Sequence, residues 1–278
     1  LYDVEHNKWK LIKSSMIPYY GFGSEFILNK QKIYYNRFGA EEGIELYSKK
    51  TKGFSFGKEE LDQAGICTIS PEDMYYLKES EADDFENNIY RKNLKTGKTE
   101  VYLKGEFSYI LRQDHGKLYT YNNADKQIYE INLSDKTIVK CKNKGDIMWA
   151  GYIDNEHFMV TDGLNVYSYD KKSKKYWTLS NFILEKDRHN IDGGAIRNTQ
   201  VLMCSDNLTE WCIKDTVLTC DQPELYGFQY VDWQFDGKDI VFVSRTAWRD
   251  KTGNPPRQHD ANYMTFHRIR NFRAFSKK

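Results

Sequence analysis

Short stretches of alternating apolar and polar residues run along almost the whole chain. One phrase reopens them about every forty residues: Leu46-Tyr47-Ser48-Lys49-Lys50, Ile89-Tyr90-Arg91-Lys92-Asn93, Ile128-Tyr129-Glu130-Ile131-Asn132 and Val166-Tyr167-Ser168-Tyr169-Asp170. In each, an apolar-Tyr pair opens a strand, a turn of Lys, Asp, Thr, Gly or Ser follows, and a second strand returns. Alternation with period two sends successive side chains to opposite faces, as half-buried strands require. The tyrosines Tyr47, Tyr90, Tyr129 and Tyr167 are 43, 39 and 38 residues apart. A period near forty with uniform β patterning is the spacing of a β-propeller blade. The expected fold is therefore all-β: a β-propeller with four-stranded blades, six in number, with five and seven left open.

Four blade-like units can be laid out, at 23–58, 66–103, 107–141 and 147–179. The first carries strands near 26–28, 33–36, 44–48 and 53–56. Turn signals such as Asp114-His115-Gly116, Asp154-Asn155 and Asp162-Gly163 separate the strands. The opening Leu1-Tyr2-Asp3-Val4 and Trp9-Lys10-Leu11-Ile12 read as the outer hairpin of a blade without inner strands. They either close the ring against the last blade or stand as a truncated blade. The repeat changes character near Trp177. Beyond it come a hairpin of 199–204 with 211–218 and strands at 230–235, 240–244 and 263–269. Irregular loops at 182–197 and 248–261 interrupt them, and such loops carry function more often than turns do. The chain is taken as one domain, 1–278, with a seam near 174–181.

Composition changes this picture little. Aromatics make up 15 % of the residues, with 21 Tyr, 15 Phe and 6 Trp, which favours strands. A net charge of +1 gives no bulk attraction to nucleic acid or to a membrane surface. No run of eighteen apolar residues is present, so no membrane span is expected. Lys171-Lys172-Ser173-Lys174-Lys175 reads as a solvated hairpin tip. The chain begins at Leu1, which suggests a processed or trimmed form with any signal peptide out of view. Its five cysteines have no metal-ligand spacing, and no metal or cofactor is expected. With a turn centred on Leu208, Cys204 and Cys212 lie opposite each other. They are then either close enough for a disulfide or simply two core thiols.

Residues 20–180 resemble generic Tyr- and Lys-rich bacterial propellers. Residues 176–273 carry a more specific set of phrases: Tyr176-Trp177-Thr178-Leu179-Ser180-Asn181, Arg197-Asn198-Thr199-Gln200-Val201-Leu202-Met203, Ser205-Asp206-Asn207-Leu208-Thr209-Glu210-Trp211, Gly227-Phe228-Gln229-Tyr230-Val231-Asp232-Trp233, Val243-Ser244-Arg245-Thr246-Ala247, His259-Asp260-Ala261-Asn262-Tyr263 and Phe266-His267-Arg268-Ile269. Together these resemble the C-terminal blades of sialidase-like proteins with neuraminidase-type repeats. The resemblance implies a glycan ligand, glycoside hydrolysis if the protein is catalytic, and a secreted or periplasmic location. The family grips a carboxylate with three arginines, the first in an early Arg-Ile-Pro phrase. Here Met16 precedes Ile17-Pro18, so that phrase is missing.

The candidate site follows from residue chemistry and the resemblance together. Arg245 is placed to capture a carboxylate bidentately, against the alternative of an inter-blade ion pair. Asp232, beside a strand between Val231 and Trp233, is expected to be buried with a raised pKa. Asp260 would act as acid or base and Tyr263 as nucleophile or sugar-stacking face. His259 and Asn262 would join Arg245 in holding substrate, although strand alternation would turn His259 away from Asp260 and Asn262. Asp187, Asp192 and Asp236 are the other carboxylates available. The Ser205–Trp211 turn is expected to be structural, with its Ser and Asp bonding the backbone. His267, Arg268, Arg270 and Arg273 are expected on a solvated outer edge. The alternative reading is a non-catalytic propeller that binds a protein partner at its channel mouth or serves as a scaffold.

Overall fold

The structure, a computed structural model, describes strand backbones at 2–3, 8–9, 26–29, 32–37, 43–48, 53–56 and 67–69. It then describes 72–79, 87–93, 95–188 and 192–277. The Ile17-Pro18 position lies outside the described residues. The chain forms two compact units, Leu1–Gln113 and Asp114–Lys278. Among the described residues every regular element is a β-strand or a short 3-10 helix. No described helix is long and apolar enough to cross a membrane.

The first unit opens with the hairpin β1 (Tyr2–Asp3) and β2 (Lys8–Trp9). Next comes a four-stranded antiparallel sheet of β3 (Phe26–Asn29), β4 (Lys32–Arg37), β5 (Gly43–Ser48) and β6 (Gly53–Phe56). A second four-stranded sheet holds β7 (Cys67–Ile69), β8 (Asp73–Glu79), β9 (Asn87–Asn93) and β10 (Thr99–Leu103). The strands of the first four-stranded sheet are those the alternation predicts, and β7 to β10 fall within the 66–103 unit. The unit boundary falls at the end of β11 (Tyr109–Asp114).

In the second unit, β12 (Lys117–Asn122), β13 (Gln127–Asn132) and β14 (Ile138–Lys140) pair in sequence. The next sheet departs from a four-strand repeat. It runs β15 (Trp149–Tyr152), β16 (His157–Thr161), β17 (Val166–Asp170), β18 (Lys175–Asn181), β19 (Thr199–Ser205) and β20 (Trp211–Thr219) without a break. The supposed seam coincides with β18, which pairs with β17 on one side and β19 on the other. The match is apolar: Trp177 opposes Cys204 and Leu179 opposes Leu202, so one face of both strands wants the same cover. That cover comes from the last sheet, β21 (Gly227–Asp236), β22 (Asp239–Ala247) and β23 (Tyr263–Ile269), together with the C-terminal 3-10 turn Phe272–Lys277. Trp177, Leu179, Leu202, Ile240, Phe242, Ile269 and Phe272 form one buried cluster there. Each large aliphatic or Phe side chain in it contributes roughly 1.5–3 kcal/mol by leaving water.

Candidate functional site

The geometry around Arg245 is set by a β-bulge. Gln229 pairs with Arg245, but the next matched pair is Asp232 with Val243, so β21 carries an extra residue at that point. Tyr230 occupies the bulge with φ +49° and is 58 % exposed. Its ring is the meeting point of the site. The Arg245 guanidinium lies 5.1 Å from the ring centroid, that of Arg197 5.6 Å, and the His259 ring stands edge-on at 6.4 Å. Arg197 is held by the strand start beside it, where Phe228 N–H donates to the Arg197 carbonyl at 2.7 Å. Asn181 at the end of β18 donates to the Phe228 and Thr199 carbonyls at 2.6 and 3.2 Å and fixes the same corner.

The loop from Trp248 to Ala261 reaches this corner through Gln258. Its backbone carbonyl accepts from Gln229 Nε2 at 2.7 Å, and its own Nε2 donates to the Ala195 carbonyl at 2.6 Å. Gly227 makes this approach feasible, since a Cβ there would stand 2.6 Å from the Gln258 carbonyl oxygen. Asn262 closes the loop like a missing pair of strand residues. Its amide accepts from Trp248 N–H at 3.0 Å and donates to the Trp248 carbonyl at 2.7 Å and to Asp250 at 3.0 Å. Asp260 accepts from Arg257 Nε at 3.0 Å.

The structure thus brings Arg245 and His259 together and adds Arg197 and Tyr230, which sequence reading did not assign to the site. Asp232 shares the Arg245 sheet face through its pairing with Val243 but makes no ion pair with it, and Tyr263 is not brought to the site. Asp232 is exposed, because the residue after the bulge turns to the outer face of β21, and the expected burial does not occur. It lies on a shallow groove with Gln234, Val243 and Phe266. Tyr263 pairs with Thr246, one residue past Arg245, so it stands on the opposite sheet face. His259 does not turn away from Asp260: its Nδ1 lies 3.7 Å from the carboxylate. Alternation fails here because 259–262 precede β23 and are not strand.

The remaining carboxylates have local duties. Asp187, nearly buried, accepts from Asn198 Nδ2 at 3.1 Å. Asp192 caps the short turn Gly193–Ala195 through Gly194 N–H. Asp236 pairs with Arg268 at 2.7 Å. In the Ser205–Trp211 turn the backbone partners are Ser205 and Asn207, whereas Asp206 pairs outward with Lys175 at 2.8 Å. No group of three or more His, Cys, Asp or Glu among the described residues is arranged to hold a metal ion.

No family model matches the sequence. No curated protein matches it either. Three solved structures show partial likeness. A nidogen/laminin complex aligns at 10 % identity and TM-score 0.40, covering 52 % of this chain and 57 % of that one. TolB from Acinetobacter baumannii aligns at 13 % and 0.36, covering 73 % and 57 %. Kluyveromyces lactis Hsv2 aligns at 11 % and 0.38, covering 88 % and 72 %. The chain therefore spans 57 % of the length of each of the first two. Likenesses this distant carry no argument about function. The resemblance of residues 176–273 to sialidase-like blades gains no support from these comparisons.

Proposed function

We propose that this chain is a β-propeller-type scaffold that presents binding surface to a protein partner and performs no chemistry of its own. The propeller reading is supported by the succession of antiparallel four-stranded meanders at the expected spacing. The observation that carries the functional reading is the dispersal of the residues a glycoside hydrolase would need. Hydrolysis by paired carboxylates wants them roughly 5–10 Å apart across one bond. Here Asp260 is engaged by Arg257, Asp232 shares the Arg245 face without pairing with it, and Tyr263 occupies the opposite face. Meanwhile the outer face of the last sheet shows Met264 and Phe266, each 66 % exposed, beside Tyr230. Large apolar side chains clustered in solvent are characteristic of interaction surfaces.

The test pairs two measurements on the purified chain. Fluorogenic sialosides and a glycan array should give neither turnover nor binding, while selection from displayed linear peptides should return saturable binders. Turnover abolished by Asp260→Asn or Tyr263→Phe would replace this reading with a hydrolase. Glycan binding lost in Arg245→Ala would replace it with a lectin.

A further inference from the structure

We infer that the Tyr230 corner is the docking point for an acidic segment of a protein partner. An Asp or Glu carboxylate of that segment is taken by Arg197 and Arg245, and its apolar neighbours lie over Met264 and Phe266. The inference rests on the scaffold reading and names the chemistry of the partner.

Charge is the first argument. Arg197 and Arg245 are both half-buried against one tyrosine ring, and among the described residues no carboxylate lies within ion-pair distance of either. Three other arginines of the same unit have carboxylate partners, Arg257 with Asp260, Arg268 with Asp236 and Asp239, and Arg273 with Asp170 and Glu156, whereas Arg249 and Arg270, which have none among the described residues, are exposed rather than half-buried. Two guanidiniums on one ring repel each other, and a shared carboxylate relieves that repulsion with bidentate hydrogen bonds. Partial burial makes such a bond stronger than it would be in open water.

Continuity is the second argument, and it favours a peptide over a free anion. Met264 pairs with Arg245, and Phe266 pairs with Val243 two residues along. All four lie on one sheet face, so the cationic corner opens directly onto exposed apolar surface. An inorganic anion would leave that surface unused. Among the described residues β23 is also the edge strand of its sheet, along which an extended segment can lie.

The experiment extends the peptide selection. Binders should be enriched in an Asp or Glu flanked by apolar residues. For a synthesised binder, replacing that acid by its amide should remove most of the affinity. Arg197→Lys and Arg245→Lys should each weaken binding at least about tenfold, because lysine keeps the charge but loses the fork. Met264→Ser should weaken it as well, and Arg270→Ala should leave it unchanged. Thermal melting should show all four variants folded. Binders without acids, or acidic binders indifferent to both arginine variants, would overturn the inference and leave the scaffold reading standing. Failure to enrich any binder would overturn both.

Discussion

At the residue scale, the turn at Leu208 shows what a sequence can and cannot specify. A hairpin centred there places Cys204 opposite Cys212, and the ladder has that pair. The side chains that make the turn are harder to read. Ser205 Oγ accepts from the Asn207 and Leu208 N–H groups at 3.1 and 2.9 Å, and Asn207 Oδ1 accepts from those of Thr209 and Glu210 at 3.0 and 2.9 Å. Asp206 and Asn207 are chemically interchangeable for such bonds. Only the backbone, with Leu208 at φ +68°, assigns the role to Asn207. The thiols carry a prediction. Cys204 and Cys141 are buried and burial pushes both pKa values up, that of Cys141 to about 11; Cys212 is exposed. Thiolate is the reactive form. A thiol-reactive dye on the native reduced protein should therefore modify Cys212 rapidly, with Cys141 and Cys204 waiting for denaturant. Peptide mapping after brief labelling would read this directly, and early modification of Cys141 would contradict it.

At the element scale, strands were legible and corners were not. Alternation and turn residues locate β3 to β6 within two residues of their observed ends. The Tyr230 corner escapes the same reading because its members come from β21, β22, the segment leading into β19 and the loop before β23. They meet only through a one-residue bulge that periodicity cannot register. Arg197 opens one of the phrases that resemble sialidase-like blades, but nothing in that phrase ties it to Tyr230. The loop itself yields a prediction. Asn262 substitutes for strand pairing across Trp248 to Asn262, and Gly227 leaves room for the Gln258 carbonyl. Asn262→Ala should raise proteolytic cleavage within 248–261 several-fold while costing only about 1–2 kcal/mol of global stability, since the bonds are exposed. Gly227→Ala should cost about 1–3 kcal/mol, because backbone must move to accept the new methyl. Limited proteolysis and urea denaturation separate the two. Equal loop protection in Asn262→Ala and the parent would show that the loop is pinned by something else.

At the scale of the whole molecule, the C-terminus does what its composition conceals. A basic tail ending in Arg268, Arg270 and Arg273 reads as a solvated edge, and Arg268 fits that description. Arg273 does not. It donates to Asp170 at 2.8 and 2.9 Å, to Glu156 at 3.0 Å and to His157 Nε2 at 2.9 Å, spanning more than a hundred residues to the β16–β17 hairpin. Asp170 is fully buried and His157 is 2 % exposed. The Arg273 Nη2 has two hydrogens for three surrounding acceptors, so Asp170, Glu156 and His157 Nε2 share them, while His157 Nδ1 lies 2.8 Å from Asp154. Nothing in a local window pairs residue 273 with residue 170, which is why sequence reading missed the contact. Its energetics are asymmetric. Removing the cation strands a buried carboxylate, and Arg273→Ala should cost about 3–5 kcal/mol. The pH dependence has a definite sign. Burial pushes the Asp170 carboxyl up, but the hydrogen bonds and charge of Arg273, with help from Ser173, outweigh it and hold its pKa below the usual range. The Lys172 hydrogen bond, followed by the charges of Lys172 and Arg273, lowers Glu156 against a smaller burial effect. A folded pKa below the unfolded one means stability that is fully present above about pH 4 and is lost as pH falls through the folded values. Urea titrations followed by tryptophan fluorescence from pH 7 downward should show the parent losing stability steeply below about pH 4. Arg273→Ala should begin lower and decline less steeply, and parallel curves would show that the tail does not couple to these carboxylates.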